Sequence, residues 1–255
     1  MKSYPTDRIR NVALVGHGGA GKTSVAEALL ARAGAVARAG KVDDGTSLLD
    51  TEPESVKRKI SLALALAPFE WKATDGNSYK INLIDTPGYV DFEAEVDAAL
   101  HVADMAVFVV SAVDGVEVQT ELLWRKCAAL GIPRMVFVNK EDKDRADFHK
   151  VLDRLKMDFG AGFVALELPI GEAANLHGVA DVLTEEAYEY EADGKHHSEP
   201  LPADLADGLV AGLALVAGLA LVADLALVVG RLAGGCRRRD GLAVGRAAVR
   251  ALLEP

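Results

Sequence analysis

Four short runs of apolar residues, Val12–Val15, Ile81–Ile84, Ala106–Val110 and Met135–Val138, punctuate the first part of the chain. Continuous apolar runs of this length suit strands buried on both faces, as in a parallel sheet. Leu62, Leu64 and Leu66 alternate with alanines, the pattern of a strand with two different faces. Between these runs the spacing becomes helical. Lys22–Ala33 and Glu121–Leu130 are expected helices, the second ended by Gly131 and Pro133 as a glycine cap and a proline stop. Phe92, Val96, Leu100 and Ala103 fall on one stripe of a third helix. Alternating strands and helices predict an α/β fold with a mostly parallel sheet flanked by helices. Right-handed crossovers would then gather the ligand loops at the C-terminal ends of the strands.

Three motifs sit at those strand ends. Directly after the first strand comes Gly16-His17-Gly18-Gly19-Ala20-Gly21-Lys22-Thr23, with the spacing G-x-x-x-x-G-K-T of a phosphate-binding loop. Its glycines let successive backbone N–H groups face the phosphates at a helix N-terminus. Lys22 would neutralise the β/γ oxygens, and the Thr23 hydroxyl would reach Mg²⁺. The fold is therefore expected to be that of a P-loop NTPase. Asp85-Thr86-Pro87-Gly88 ends the second parallel strand, where Asp85 can hold Mg²⁺ through water and the Gly88 N–H can contact a γ-phosphate. Asn139-Lys140-Glu141-Asp142 ends the Met135–Val138 strand. The Asp142 carboxylate can accept from the ring N–H and exocyclic amine of guanine, whereas adenine would oppose it with a lone pair. Guanine is favoured over adenine.

Composition narrows the partners. A formal net charge of −10 argues against non-specific nucleic-acid binding, and no direct nucleic-acid specificity is evident. Cys127 and Cys236 form no Cys-x-x-Cys pair, so a reducing compartment is expected. The N-terminal MKSYPTDRIRNVAL has no apolar run with a cleavage site, which excludes a signal peptide and favours a cytoplasmic location. His196-His197, in a polar Asp-Gly-Lys segment, reads as a solvated loop rather than a metal site. Trp71 and Trp124 read as core or edge aromatics, and Cys127 as a small buried residue on a helix.

Residues 201–255 have a different composition: 41 of the 55 are Ala, Leu, Val or Gly, and there is no aromatic residue, Lys, Ser, Thr, Asn or Gln. A period-six repeat, LALVAG, LALVAD, LALVVG, runs over 213–230 and precedes Arg237, Arg238 and Arg239. Three readings stand. The 209–230 stretch, with Asp224 as its one charge, is long enough for a membrane helix, but the arginines behind it would orient the preceding domain away from the cytosol. A buried helix is the second reading, although period six gives no single amphipathic stripe. The reading we favour is a truncated or frameshifted segment, because this composition is what GC-rich DNA yields out of frame.

With these motifs in place the chain resembles the translational GTPases, and among them the elongation factor G family. Asp85-Thr86-Pro87-Gly88 continues into Tyr89-Val90-Asp91-Phe92, and Ser111-Ala112-Val113-Asp114-Gly115-Val116-Glu117-Val118-Gln119-Thr120 follows the next strand. Leu168-Pro169-Ile170-Gly171 precedes Gly178-Val179-Ala180-Asp181-Val182-Leu183, similar to the start of the segment inserted in the elongation factor G nucleotide domain. The resemblance implies a GTP-binding domain over 1–160, part of the inserted segment over 161–200, and a tail over 201–255 outside the family pattern. It implies GTP or GDP as ligand, Mg²⁺ held by Thr23, Ser61 and Asp85, catalytic positions at Lys22, Gly88 and Tyr89, and the ribosome as partner. Three departures accompany it. Gly19 stands where the family usually has aspartate, Lys59-Ile60-Ser61 where it has Gly-Ile-Thr, and Tyr89 where it has a histidine that orients the attacking water. The last implies slow turnover and a place among divergent bacterial elongation-factor-G-like proteins. The Ser-Ala loop of the family's last strand is not found beyond residue 170, so a nucleotide domain without that strand is expected. A non-catalytic nucleotide-binding module, an inert fragment, and a GTPase of the ribosome-protection type remain the alternatives.

Overall fold

A computed structural model describes residues 2–73, 76–160, 163–181, 186–190, 196–200 and 226–228. They fall into two compact units. One is built from residues up to Val109 together with Glu117–Pro133, the other from Val110–Val116 and residues from Arg134 onward.

The first unit carries β1 (Ile9–Val15), β2 (Ala65–Lys72), β3 (Ser78–Asp85) and most of β4 (Met105–Ser111), in the order β2-β3-β1-β4. β1 is parallel to both neighbours, with Val12 opposite Leu83 on one side and Met105 on the other, while β2 runs antiparallel to β3. All four expected apolar runs lie within strands, each strand extending a few residues beyond its run. β1 is buried most fully over its last three residues, just before the phosphate-binding loop.

β2 departs from expectation in its faces. It begins at Ala65, so Leu62 and Leu64 precede it, and its buried positions are Ala67 and Phe69 while Leu66 is 59% exposed. Leu66 points away from the core, on the strand face opposite Ala67 and Phe69, which supply the inward side chains. Pro68 fits here because β2 is an edge strand.

Helix α1 (Lys22–Arg32), α2 (Pro53–Arg58), α3 (Glu93–Val102) and α4 (Val118–Leu130) complete the unit. α3 buries Val96, Ala99 and Leu100, close to the expected stripe. α4 starts three residues earlier than expected, since Val118 and Thr120 are weak helix formers whose place in the first turn is set by packing; Thr120 is buried. It stops as expected at Gly131, in the left-handed conformation (φ 68°, ψ 22°). Cys127 is buried, and Trp124 packs edge-on against Phe108 with centroids 5.0 Å apart.

The second unit carries β5 (Arg134–Asn139), α5 (Phe148–Phe159) and β6 (Phe163–Ala165). α5 buries Phe148, Val151, Leu152 and Leu155, and the Asp147 carboxylate accepts from the Lys150 N–H at 2.9 Å as its N-cap. An antiparallel meander follows: β7 (Glu167–Ile170), β8 (Gly178–Asp181), β9 (Glu186–Tyr190) and β10 (His196–Pro200). His197 is thus a strand residue rather than a loop residue, opposite Glu189 and exposed.

A last strand, β11 (Ala226–Val228), lies parallel between β5 and β6, with Leu227 opposite Met135 and Val164. The repeat therefore contributes a strand where none was expected. Six is a whole multiple of the two-residue strand period and not of the 3.6-residue helical one, so the repeat is compatible with extended backbone. The remainder of the tail, including the rest of the 209–230 stretch, Cys236 and Arg237–Arg239, lies outside the described residues, as do Val182 and Leu183. Among the described residues no helix is long and apolar enough to cross a membrane.

Candidate functional site

The phosphate-binding loop leaves the buried end of β1 and feeds α1 through Gly21, which is left-handed (φ 96°). No side chain caps α1, so this end keeps the orphan N–H groups and positive dipole that suit an anion. Lys22 is buried in the first turn, and its Nζ donates to the Gly16 and His17 carbonyls at 2.9 Å each. Burial pulls its ammonium down to about 8, with the Asp85 charge opposing that shift.

Asp85 ends β3 and is buried. Thr23 Oγ1 donates to its Oδ2 at 2.7 Å and lies 3.1 Å from Ser61 Oγ. Burial pushes the Asp85 carboxyl up to about 6; the Thr23 bond and the Lys22 charge pull the other way, and the Asp50 and Glu27 carboxylates add to the rise. Asp85 Oδ1 and Asp50 Oδ2 are both buried without a hydrogen-bond partner. Two hydroxyls and a carboxylate converge there, and Asp85 Oδ1 has no donor. That is the donor set of a hard divalent cation, and the residues fit Mg²⁺.

Lys59, the residue before Ile60-Ser61, is itself left-handed (φ 57°) as the C-cap of α2. Glycine would take that conformation freely, so Lys59 accepts backbone strain here.

Beyond Asp85, Thr86 Oγ1 donates to the Leu14 carbonyl at 2.7 Å and ties the turn to β1. Gly88 lies against the loop: a Cβ there would collide with Lys22 Nζ and stand 2.7 Å from both Gly18 N and His17 O. Tyr89 is 44% exposed, and its ring covers Gly18, where an added Cβ would meet Cζ at 2.9 Å. The structure thus brings together Gly16–Thr23, Ser61, Asp85, Gly88 and Tyr89.

The Asn139-Lys140-Glu141-Asp142 motif belongs to the second unit, at the end of β5. Ala112 N–H donates to the Asn139 carbonyl at 2.7 Å, and Lys140 (φ 65°) turns the chain. Lys140 Nζ lies 3.9 Å from the Asp114 carboxylate, and Asp142 pairs with Lys143 at 2.9 Å on the surface. Burial pushes the Glu141 carboxyl up to about 7, and its Oε1 is buried without a partner.

Two residues escaped the reading of the sequence. Glu27 is fully buried on α1 and Asp50 is buried ahead of α2. A carboxylate among the apolar positions Val25, Ala26 and Leu30 was a visible signal for Glu27. Asp50 carried none, because the segment around it has no periodicity.

A family model described as the elongation factor Tu GTP binding domain matches residues 7–229. The chain belongs to this family. The GTP-binding domain is 37% identical over 216 residues to elongation factor G 1 from Geobacter sulfurreducens, covering 83% of this chain and 30% of that protein. Its fold matches a crystal structure of a Thermus thermophilus protein with a TM-score of 0.75 and 33% identity, covering 88% of this chain and 37% of the other. The chain therefore spans about a third of the length of these relatives, and it is a domain of the translational GTPase type.

Proposed function

We propose that this domain binds guanine nucleotide and hydrolyses GTP to GDP and phosphate in a Mg²⁺-dependent manner, in the service of ribosomal translation. The observation that carries the reading is the convergence of Lys22, Thr23, Ser61, Asp85 and Gly88 on one phosphate-binding loop. Phosphate oxygens would replace the Gly16 and His17 carbonyls as partners of Lys22, restoring to its buried ammonium a full counter-charge. Backbone N–H groups of the loop and the α1 terminus would take up charge developing on the transferred phosphoryl group. Thr23, Ser61 and Asp85 would hold Mg²⁺, which would supply neutralising charge to the phosphates. Asn139, Lys140 and Asp142 are assigned to the base, with Asp142 accepting from guanine.

Tyr89 sets the rate in this reading. A phenol over Gly18 cannot orient and polarise water as an imidazole does, so turnover is slow. The name elongation factor carried by the Geobacter relative supports a role at the ribosome. The test is displacement of fluorescent GDP, in Mg²⁺, by GDP, GTP and ADP separately. Displacement by the guanine nucleotides alone is expected. Equal displacement by ADP, or no binding by the folded chain, would overturn the reading.

A further inference from the structure

Glu27 lies in the middle of α1 and is 0% exposed. Its Oε1 accepts from Ser47 Oγ at 2.9 Å and from the Leu48 N–H at 2.5 Å, and its Oε2 accepts from the Gly40 N–H at 2.9 Å. Every one of these donors belongs to the segment between α1 and α2. Among the described residues no cation pairs with Glu27. Ser47 extends the contact, since its Oγ also accepts from the Leu49 N–H at 3.2 Å and the Asp50 N–H at 3.3 Å.

A buried carboxylate costs stability unless donors satisfy it, and an apolar side chain would fill this place on the helix at lower cost. The neighbours Val25, Ala26 and Leu30 do so. What the carboxylate adds is a grip on two separate points of one loop, Gly40 and Ser47-Leu48, which no aliphatic side chain supplies. The segment so gripped carries Asp50, whose charge acts on Asp85, and leads through α2 to Ser61 beside Thr23.

We propose that Glu27 is a positioning residue: its buried carboxylate clamps the 40–48 segment and, through Ser47, sets the backbone that carries Asp50 toward the Thr23–Asp85 cluster. The clamp stands on geometry alone, and its effect on nucleotide rests on the function proposed above.

The test uses the full 255-residue chain, without nucleotide and then with it. In nucleotide-free protein, Glu27→Ala is expected to speed hydrogen exchange of the Gly40 and Leu48 amides by about tenfold or more, as losing a bond to a charged acceptor implies. Tryptic cleavage after the exposed Arg38 and Lys41 should accelerate in parallel. Glu27→Gln keeps one acceptor oxygen and should free only one of the two gripped points. Ser47→Ala should release the Leu49 and Asp50 amides and leave Gly40 unchanged. Asp147→Ala, which weakens α5 in the other unit, should leave all of these amides protected. With fluorescent GDP, Glu27→Ala should lower affinity in Mg²⁺ while leaving affinity in EDTA unchanged, a split that a merely structural residue would not produce. Unchanged exchange in Glu27→Ala and Glu27→Gln would overturn the proposal, as would loss of protection spread evenly over the unit, or an equal loss of affinity with and without Mg²⁺. If even the unaltered chain binds no nucleotide, the proposed function fails, and the exchange data still decide whether the clamp exists.

Discussion

The contact between Gly88 and the phosphate-binding loop makes Gly88→Ala the most informative single change. A methyl group on Gly88 would stand 2.7 Å from Gly18 N and from His17 O, well inside the roughly 3.5–4.0 Å of an ordinary contact, and would also collide with Lys22 Nζ. Lys22 can swing aside, but its Nζ then leaves the Gly16 and His17 carbonyls. The other two atoms are backbone, so either the loop or the 85–88 turn must shift. Over-packing of this kind costs about 1–3 kcal/mol, and loosening the Lys22 bonds adds about 1 kcal/mol. A total of about 2–4 kcal/mol corresponds to a melting temperature lower by roughly 4–16 °C in a domain of this size.

Gly18→Ala is the comparison. Its added methyl meets the Tyr89 ring, a half-exposed side chain with room to move, so the cost should stay below about 1 kcal/mol and vanish in a Tyr89→Ala background. Thermal unfolding by circular dichroism measures both, and GDP titration should show a larger loss of affinity for Gly88→Ala. A Gly88→Ala protein melting within about 2 °C of the parent, or no more affected than Gly18→Ala, would refute the close approach as the reason for glycine.

Glu141 gives a pH test. Its carboxyl titrates at about 7 in the fold against 4.5 in the open chain, so the folded state holds the proton more tightly and loses stability as pH rises between those values. Glu141→Gln should therefore be more stable than the parent at about pH 8, by on the order of 3 kcal/mol, and the gap should close near pH 4.5; a gap independent of pH contradicts the assignment. Asp147→Ala removes the N-cap bond of α5 and should cost about 1 kcal/mol, read as a melting temperature lower by roughly 2–4 °C. Tyr89→His should hydrolyse GTP faster than the parent in a single-turnover assay, and an unchanged rate would remove Tyr89 as the cause of slow turnover.

Local patterns carried much of this molecule. Apolar runs announced β1, β3, β4 and β5, and the Gly131 cap closed α4 where it was expected. Helix α5 was not among the expected elements, although the stripe Phe148, Val151, Leu152, Leu155 behind Asp147 carries its signal. The motifs also pointed to the family, because glycines, a lysine and a hydroxyl at the fixed spacing of a phosphate-binding loop leave few other uses. What could not be read locally is which face of a strand is buried and which distant groups meet. Alternation at Leu62–Leu66 stated two faces without saying that β2 would begin only at Ala65 and bury Ala67 and Phe69 while leaving Leu66 exposed. The repeat at 213–230 gave no sign that three of its residues would enter the space between β5 and β6. Glu27 and Leu48 are 21 residues apart, and Thr23 and Asp85 are 62 apart. Period and turn chemistry belong to the sequence, since they depend on neighbours along the chain. Burial, charge coupling and the clamp on the 40–48 segment belong to the tertiary structure, since they exist only once packing has removed water from between residues far apart in that chain.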